Sequence, residues 1–327
     1  MSDRRRSLLR TLADADGPVS GPTLADDLGV SRAAVWKHVE ALREAGFDIE
    51  SGADGYVVRS VPDYGGDAIA FGLDAPYAVD YHDRLPSTND RARELAAKGA
   101  TDVLVVAGEQ TGGRGRLDRP WSSPAGGVYA SLLVRPDRPP AHAPIFTLAA
   151  AVAVTRACRE AGVDAVIKWP NDVLVAGSER KLAGILTEME GEADRISWLI
   201  VGIGANVDVA AAELPETATS VRVEVGEEPR SGEEPRSSGS RPAADGADRR
   251  RFCQRMVEEF HALDPDDVLP AWREYAVTLG REVRVDTPGG VVEGEAVDIE
   301  FPGALVVRTD DGDRTVHAGD CEHLRPA

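Results

Sequence analysis

Residues 108–121 read GEQTGGRGRLDRPW, and this stretch decides how the rest of the chain is read. Four glycines (Gly108, Gly112, Gly113, Gly115) alternate with three arginines (Arg114, Arg116, Arg119), and Trp121 closes the run. Glycine at that density holds neither a helix nor a strand well, but it lets backbone approach a ligand closely. Arginine offers a flat, permanently charged fork that matches carboxylate and phosphate oxygens. Two readings stand side by side: a mobile surface loop with solvated arginines, or a site for an anionic ligand with an aromatic base to stack on Trp121. The phosphate patterns GxGxxG and GxxxxGK[ST] are both absent here, so a phosphate site in this loop belongs to neither the dinucleotide-binding nor the P-loop class.

Working outward, the stretch lies in a region where strand-like and helical segments alternate. Residues 77–85 and 103–107 read as strands. Between them, Ser87-Thr88-Asn89-Asp90 precedes the helical run RARELAAKG, with Ser or Thr as its N-cap. Downstream come a strand at 127–134, an alanine-rich helix at 141–161, and Lys168-Trp169-Pro170-Asn171-Asp172 between two apolar strands. Pro170 ends any ladder there, which leaves Asn171 and Asp172 exposed at a strand end. Residues 181–186, KLAGIL, and 198–206, WLIVGIGAN, follow; Gly202 and Gly204 leave room on one face of the last strand for a ligand.

Residues 1–60 form a separate unit. Short helices separated by Gly29-Val30, with Ser31 capping SRAAVWKHVEALREAG, carry the helix-turn-helix signature. Residues 47–59 read as a hairpin, the wing. Ser31, Arg32, Ala33, Trp36, Lys37 and His38 then fall on or near the groove-facing side of the second helix. A protein-interaction module is the competing reading, because eight basic against ten acidic side chains leave this unit at −2. Residues 222–248 are rich in Glu, Pro, Ser, Gly and Arg, repeat GEEPRS, and read as a disordered insertion in a unit spanning 67–275. Residues 280–327 alternate strands with glycine turns, which predicts a small SH3-like β-barrel. The fold class is thus α+β: a winged helix-turn-helix, a central mixed α/β domain and a C-terminal barrel.

Composition bounds the rest. The chain has 327 residues and a net charge of −19, with 56 acidic against 37 basic side chains. That balance argues against whole-molecule attraction to nucleic acid or anionic membrane and suits a salt-rich, halophilic cytoplasm. The best apolar run, 145–154, is about half of the ~20 residues that cross a bilayer, and no secretory signal is visible, so a cytoplasmic protein without membrane contact is expected. Cys158, Cys253 and Cys321 lie far apart and read as reduced core residues. The six histidines show no metal-ligand spacing, and no Ser-His-Asp signature is present.

Taken in order, STN (87–89), GEQTGGRGRLDRPW, KWPND (168–172), KLAGIL and GIGAN (202–206) resemble the biotin protein ligases, whose signature is GRGRxxRxW. The resemblance covers nearly the whole chain, and the winged helix points to the bifunctional ligase/repressor branch. It implies a biotin/lipoate-ligase-like central domain and two steps: biotin and ATP form biotinyl-5′-AMP, then a lysine of a biotin carrier protein takes the biotinyl group. The implied catalytic residues are Lys181, Arg114 and Arg116. Biotin falls to Ser87, Thr88, Asn89, Gln110, Arg114, Gly115, Arg116, Lys181, Gly184 and Gly204. ATP falls to Arg119, Trp121, Asn171, Asp172 and Asn206, with Mg²⁺ at Asp172. Partners implied are the carrier domain of a carboxylase, operator DNA, and a second copy of the chain when biotinyl-AMP is bound. A ligase whose winged helix no longer regulates, and a sensing repressor without catalysis, are the alternatives. Asp118 departs from the family, which usually has glycine there, and the hairpin before Lys181 looks long; both bear on nucleotide affinity.

Overall fold

The structure, a computed structural model, describes residues 3–226 and 248–324. Most of the segment read as a disordered insertion, residues 227–247, lies outside the described residues.

The N-terminal unit packs α1 (Asp3–Ala13), α2 (Gly21–Leu28) and α3 (Arg32–Glu44) against the hairpin β1 (Asp48–Gly52) and β2 (Gly55–Ser60). Its own core comes from helical spacing: Leu8, Leu9 and Leu12 of α1 meet Leu24, Val35, Val39 and Leu42. Ser20 and Ser31 cap the second and third helices, accepting from Thr23 N–H and Ala34 N–H. Gly29 takes the left-handed φ of 61° that the turn between them needs. Replacing Ser31 with alanine should cost this unit about 1 kcal/mol, seen as faster amide exchange in α3. Unchanged protection there would show that the cap contributes nothing.

A short helix α4 (Gly66–Ala70) leads into the central sheet. Its seven strands are β3 (Ala78–Leu85), β4 (Val103–Gln110), β5 (Val128–Val134), β6 (Ala165–Lys168), β7 (Asp172–Val175), β8 (Lys181–Gly191) and β9 (Ile196–Ala205). Their spatial order is β3-β4-β5-β9-β8-β7-β6; β3 and β4 are parallel, and every other neighbouring pair is antiparallel. Helix α5 (Thr88–Ala97) links the parallel pair, as a right-sized crossover must. Residues of β4 alternate between faces. Leu104 and Val106 join the main core with α6 (Pro144–Glu160), while Val103 and Val105 pack with Ala92 and Ala96 of α5. Both faces are covered, which is why β4 is apolar without alternation.

Segment Pro140–Glu160 is long and apolar enough to cross a membrane by length and composition, more so than its best uninterrupted run suggests. It is instead mostly buried in the protein, packed on α8 (Arg249–Ala262) and α9 (Val268–Tyr275). Residues 222–224, which the sequence pattern places inside the disordered insertion, are instead helical: Val221–Glu224 form the short helix α7, capped by Ser220. Asn171 and Asp172 are half-buried, not exposed as a free strand end, because Asp172 pairs with both Lys168 and Gly184.

The C-terminal strands β10 (Glu282–Thr287), β11 (Gly290–Glu300), β12 (Ala304–Thr309), β13 (Gly312–Val316) and β14 (Asp320–His323) form an antiparallel sheet in the order β13-β12-β11-β10-β14. The sequence pattern predicts a closed barrel; among the described residues the ladder is open, with β13 and β14 at its two edges. Val283, Val285, Ile299 and Leu305 of this sheet belong to the same apolar core as the central domain. All three cysteines are buried free thiols, and burial pushes those of Cys158 and Cys253 up to about 12 and that of Cys321 to about 11.

Candidate ligand-binding cleft

A cleft of about 350 Å³ opens over β8 and β9 beneath the glycine-arginine loop. All fifteen residues that the sequence assigns to biotin and ATP line it. The sheet order explains the convergence: β9 lies between β5 and β8, so KLAGIL and GIGAN run side by side with Gly184 opposite Gly204. The six helix residues assigned to DNA lie elsewhere, in the winged-helix unit. Ser31, Arg32, Ala33, Trp36 and Lys37 are exposed, Trp36 by 55%. His38 is half-buried, and burial followed by the charges of Arg5 and Arg4 holds its pKa below the usual value, so it faces α1.

One end of the cleft is a cationic cluster. Lys181 Nζ lies 2.7 Å from Asp172 and 5.0 Å from the centre of the Trp121 ring. The Lys181 backbone is held by Thr217 and Thr219 at 2.9 Å each. Arg116 donates to Asn171 Oδ1 at 3.2 Å and to Gly319 O at 2.7 Å; Arg119 pairs with Asp320. Burial lowers the Arg116 pKa, opposed by the carboxylates of Asp320 and Asp172. A half-buried guanidinium beside a lysine is a field prepared for an anion. Arg114 turns to the other end, where it donates to Asp90 at 2.7 Å.

The charges at that other end are paired, Arg114 with Asp90 and Arg93 with Glu188, so it is neutral in sum, and it is densely hydrogen-bonded. Thr88 N–H donates to Gln110 Oε1 at 2.8 Å, and Gln110 Nε2 donates to Ser123 at 3.1 Å. Ser131 lies 2.8 Å from Thr88 Oγ1 and 2.6 Å from Asn89 Oδ1. Ser87 caps α5 at Asp90 N–H.

The glycines of β8 and β9 leave space, but side chains of this chain fill it. A Cβ on Gly204 would stand 2.5 Å from Trp121 Nε1, one on Gly184 would stand 3.1 Å from the same ring, and one on Gly202 would overlap Asn89 Oδ1. The Trp121 indole therefore packs against Gly184 and Gly204. Its Nε1 and the Oδ1 of Asn206 are buried without a partner. Buried polar atoms are rarely left so, and here both belong to residues that line the cleft.

In the loop, Leu117 and Asp118 adopt left-handed φ of 56° and 54°. This accounts for the family's glycine at the Asp118 position: a Cβ carries a cost there that glycine avoids. Leu117 is 74% exposed, so its side chain stabilises little in return. Leu117→Asn, which tolerates that backbone better, should stabilise the closed loop by about 1 kcal/mol. Slower proteolytic cleavage within 112–121 is the expected result; faster cleavage would contradict it.

The cleft also contains residues that sequence reasoning missed. Leu186 and Glu188 share the face of Gly184 at the two-residue period of a strand, a signal that was readable. Asp320 arrives from the C-terminal sheet, and no local pattern announces it. The long hairpin before Lys181 places Glu179 against Arg281 of that same region.

Comparison with known proteins agrees with this geometry. Residues 81–206 match the biotin/lipoate A/B protein ligase family, residues 4–57 an HTH domain, and residues 278–324 the biotin protein ligase C-terminal domain. The chain is 36% identical over 339 residues to the bifunctional ligase/repressor BirA of Bacillus subtilis, covering 98% of this chain and 99% of that protein. It is 34% identical to the biotin–[acetyl-CoA-carboxylase] ligase of Mycobacterium tuberculosis over 73% of this chain and 86% of that one. The fold is that of the Aquifex aeolicus biotin protein ligase solved with biotin and ATP: TM-score 0.56, 24% identity, 76% of this chain and 99% of that chain. With its N-terminal helix-turn-helix, its glycine-arginine cleft and its full-length relatives, the chain belongs to the family of bifunctional biotin protein ligases.

Proposed function

We propose that the cleft activates biotin with ATP and passes it to a lysine of a biotin carrier domain. The observation that carries this reading is the cleft's division into a neutral hydrogen-bonding end and a cationic end on one continuous floor. A ureido head, polar and uncharged, suits Thr88 and Gln110. A carboxylate and a triphosphate suit Lys181, Arg116 and Arg119. In the first step a biotin carboxylate oxygen bonds to the α-phosphorus of ATP, and pyrophosphate leaves. In the second, the carrier's lysine amine attacks the carbonyl carbon, and AMP leaves. Lys181 and Arg116 hold the two anions together against their repulsion, and preorganised charge in a partly dry site does this most effectively.

Mg²⁺ is carried by the reading as a companion of the nucleotide. Asp172 offers one carboxylate, and among the described residues no group of three or more metal-binding side chains gathers. Such a site fits Mg²⁺ held mostly by phosphate oxygens, where it neutralises their charge. Asp172 would hold the metal through its carboxylate, and Lys181, 2.7 Å away, would hold the biotin carboxylate.

The same reading divides the chain into a DNA-binding unit at 1–60, a ligase domain at 67–275 and a C-terminal domain at 280–327. It assigns operator DNA to the exposed face of α3. At −2 that unit neutralises few phosphates alone, so useful occupancy needs two units on one duplex, supplied by a homodimer. Biotin-dependent exchange of pyrophosphate into ATP tests the first step. Footprinting with and without biotinyl-AMP tests the second role: protection of a palindrome that strengthens with the adenylate is expected, and no binding in either state would leave a ligase without a repressor.

A further inference from the structure

We infer that Ser123 is a positioning residue that ties the two substrate walls of the cleft together, so that biotin and ATP each tighten the binding of the other. The inference rests on the biotin and ATP reading of the cleft. Ser123 is buried behind the glycine-arginine loop, and its hydroxyl stands between Gln110 and Trp121. Gln110 Oε1 accepts from Thr88 N–H at 2.8 Å. A backbone N–H only donates, so the amide has one orientation, with Nε2 donating to Ser123 Oγ at 3.1 Å. Ser123 gives its own proton to Trp121 O at 3.3 Å, and a carbonyl only accepts. The chain Thr88–Gln110–Ser123–Trp121 thus runs one way between two backbone groups, from the first turn of α5 to the tryptophan that closes the loop. Thr88 is 4% and Ser123 6% exposed, so little water reaches these bonds to replace them.

The loop closes tightly around this chain. Gln110 N–H donates to Ser123 O at 3.2 Å, and Trp121 N–H donates to Gly113 O at 2.9 Å. A Cβ on Gly113 would stand 2.6 Å from Trp121 O and 2.7 Å from Ser123 Oγ, so only glycine leaves both atoms their places. Ordering a glycine-rich segment costs conformational entropy. Biotin needs Gln110 in place and ATP needs Trp121 in place, so both favour the same closed loop. Whichever is bound orders the segment for the other, and the coupling is reciprocal. The Ser123 hydroxyl carries the effect from the Gln110 side chain to the Trp121 main chain without itself lining the cleft.

The test measures this linkage by calorimetry on the full chain. Biotin and the α,β-methylene analogue of ATP, whose α–β bridge cannot leave, are each titrated alone and in the presence of the other. In the wild type each ligand should tighten the other by ~10-fold or more. In Ser123→Ala that factor should fall to ~2-fold, a drop on the scale of one hydrogen bond. Gly113→Ala drives a methyl against the same hydroxyl from the other side; it should lower the factor too and serves if the first variant does not fold. A folded Ser123→Ala protein that binds both ligands more weakly yet keeps the wild-type factor would mark the serine as a structural contact and overturn the inference. Independent binding of the two ligands by the wild type would overturn it as well. A wild type that binds neither ligand would instead overturn the reading of the cleft.

Discussion

Lys181→Ala should lower biotinyl-AMP synthesis by roughly 10²–10³-fold, about 2.7–4 kcal/mol of transition-state stabilisation, the scale for removing one preorganised donor. Three features place this among the largest expected effects. Lys181 is the lysine that the cleft brings to its cationic end, 2.7 Å from Asp172. Its removal strips a positive charge from the point where two anions meet, and it leaves Asp172 facing them unpaired. Its backbone stays clamped to Thr217 and Thr219, so the fold should survive the change. Single-turnover formation of the adenylate, measured alongside thermal unfolding, checks this. Near-wild-type synthesis by a folded variant would remove Lys181 from the reaction.

Trp121→Ala should weaken ATP by about 1–3 kcal/mol, if base stacking sets the scale, and biotin by much less. The structure adds a counter-effect. The indole lies on Gly184 and Gly204 with its Nε1 unsatisfied, so in the unliganded chain the ring covers floor that a ligand must share. Stacking on adenine requires the ring to leave that seat or to let the base lie against its outer face. Calorimetric titration of each ligand separates the two. Equal loss for ATP and biotin would show Trp121 to be part of the floor, not a partner of the base.

Much of this site could be read from residue types alone. A glycine-arginine run between a strand and a tryptophan, and a strand with Gly202 and Gly204 on one face, each limit what can fit nearby. The sheet order then brings the separate motifs to one cleft. What could not be read depends on distance in sequence. Arg119 is 201 residues from Asp320, and their pairing exists only because the C-terminal sheet shares the central core. Asn89 looks like a ligand contact by type, yet both ends of its amide are taken by Ser131 and Glu188, partners on two different strands. Helix α6 illustrates the reverse failure: its longest apolar run understates its hydropathy because threonine and proline interrupt it, while burial against α8 and α9 decides its place. The open C-terminal sheet likewise depends on whether two short edge strands meet, which strand periodicity does not report.

The most direct measurement is incubation of the full chain with biotin, Mg-ATP and a biotin carrier domain in molar KCl, followed by mass spectrometry of the carrier. The account predicts a gain of one biotinyl group on the carrier, dependent on both biotin and ATP and lost in Lys181→Ala. A folded chain that binds biotin yet leaves the carrier mass unchanged would contradict it.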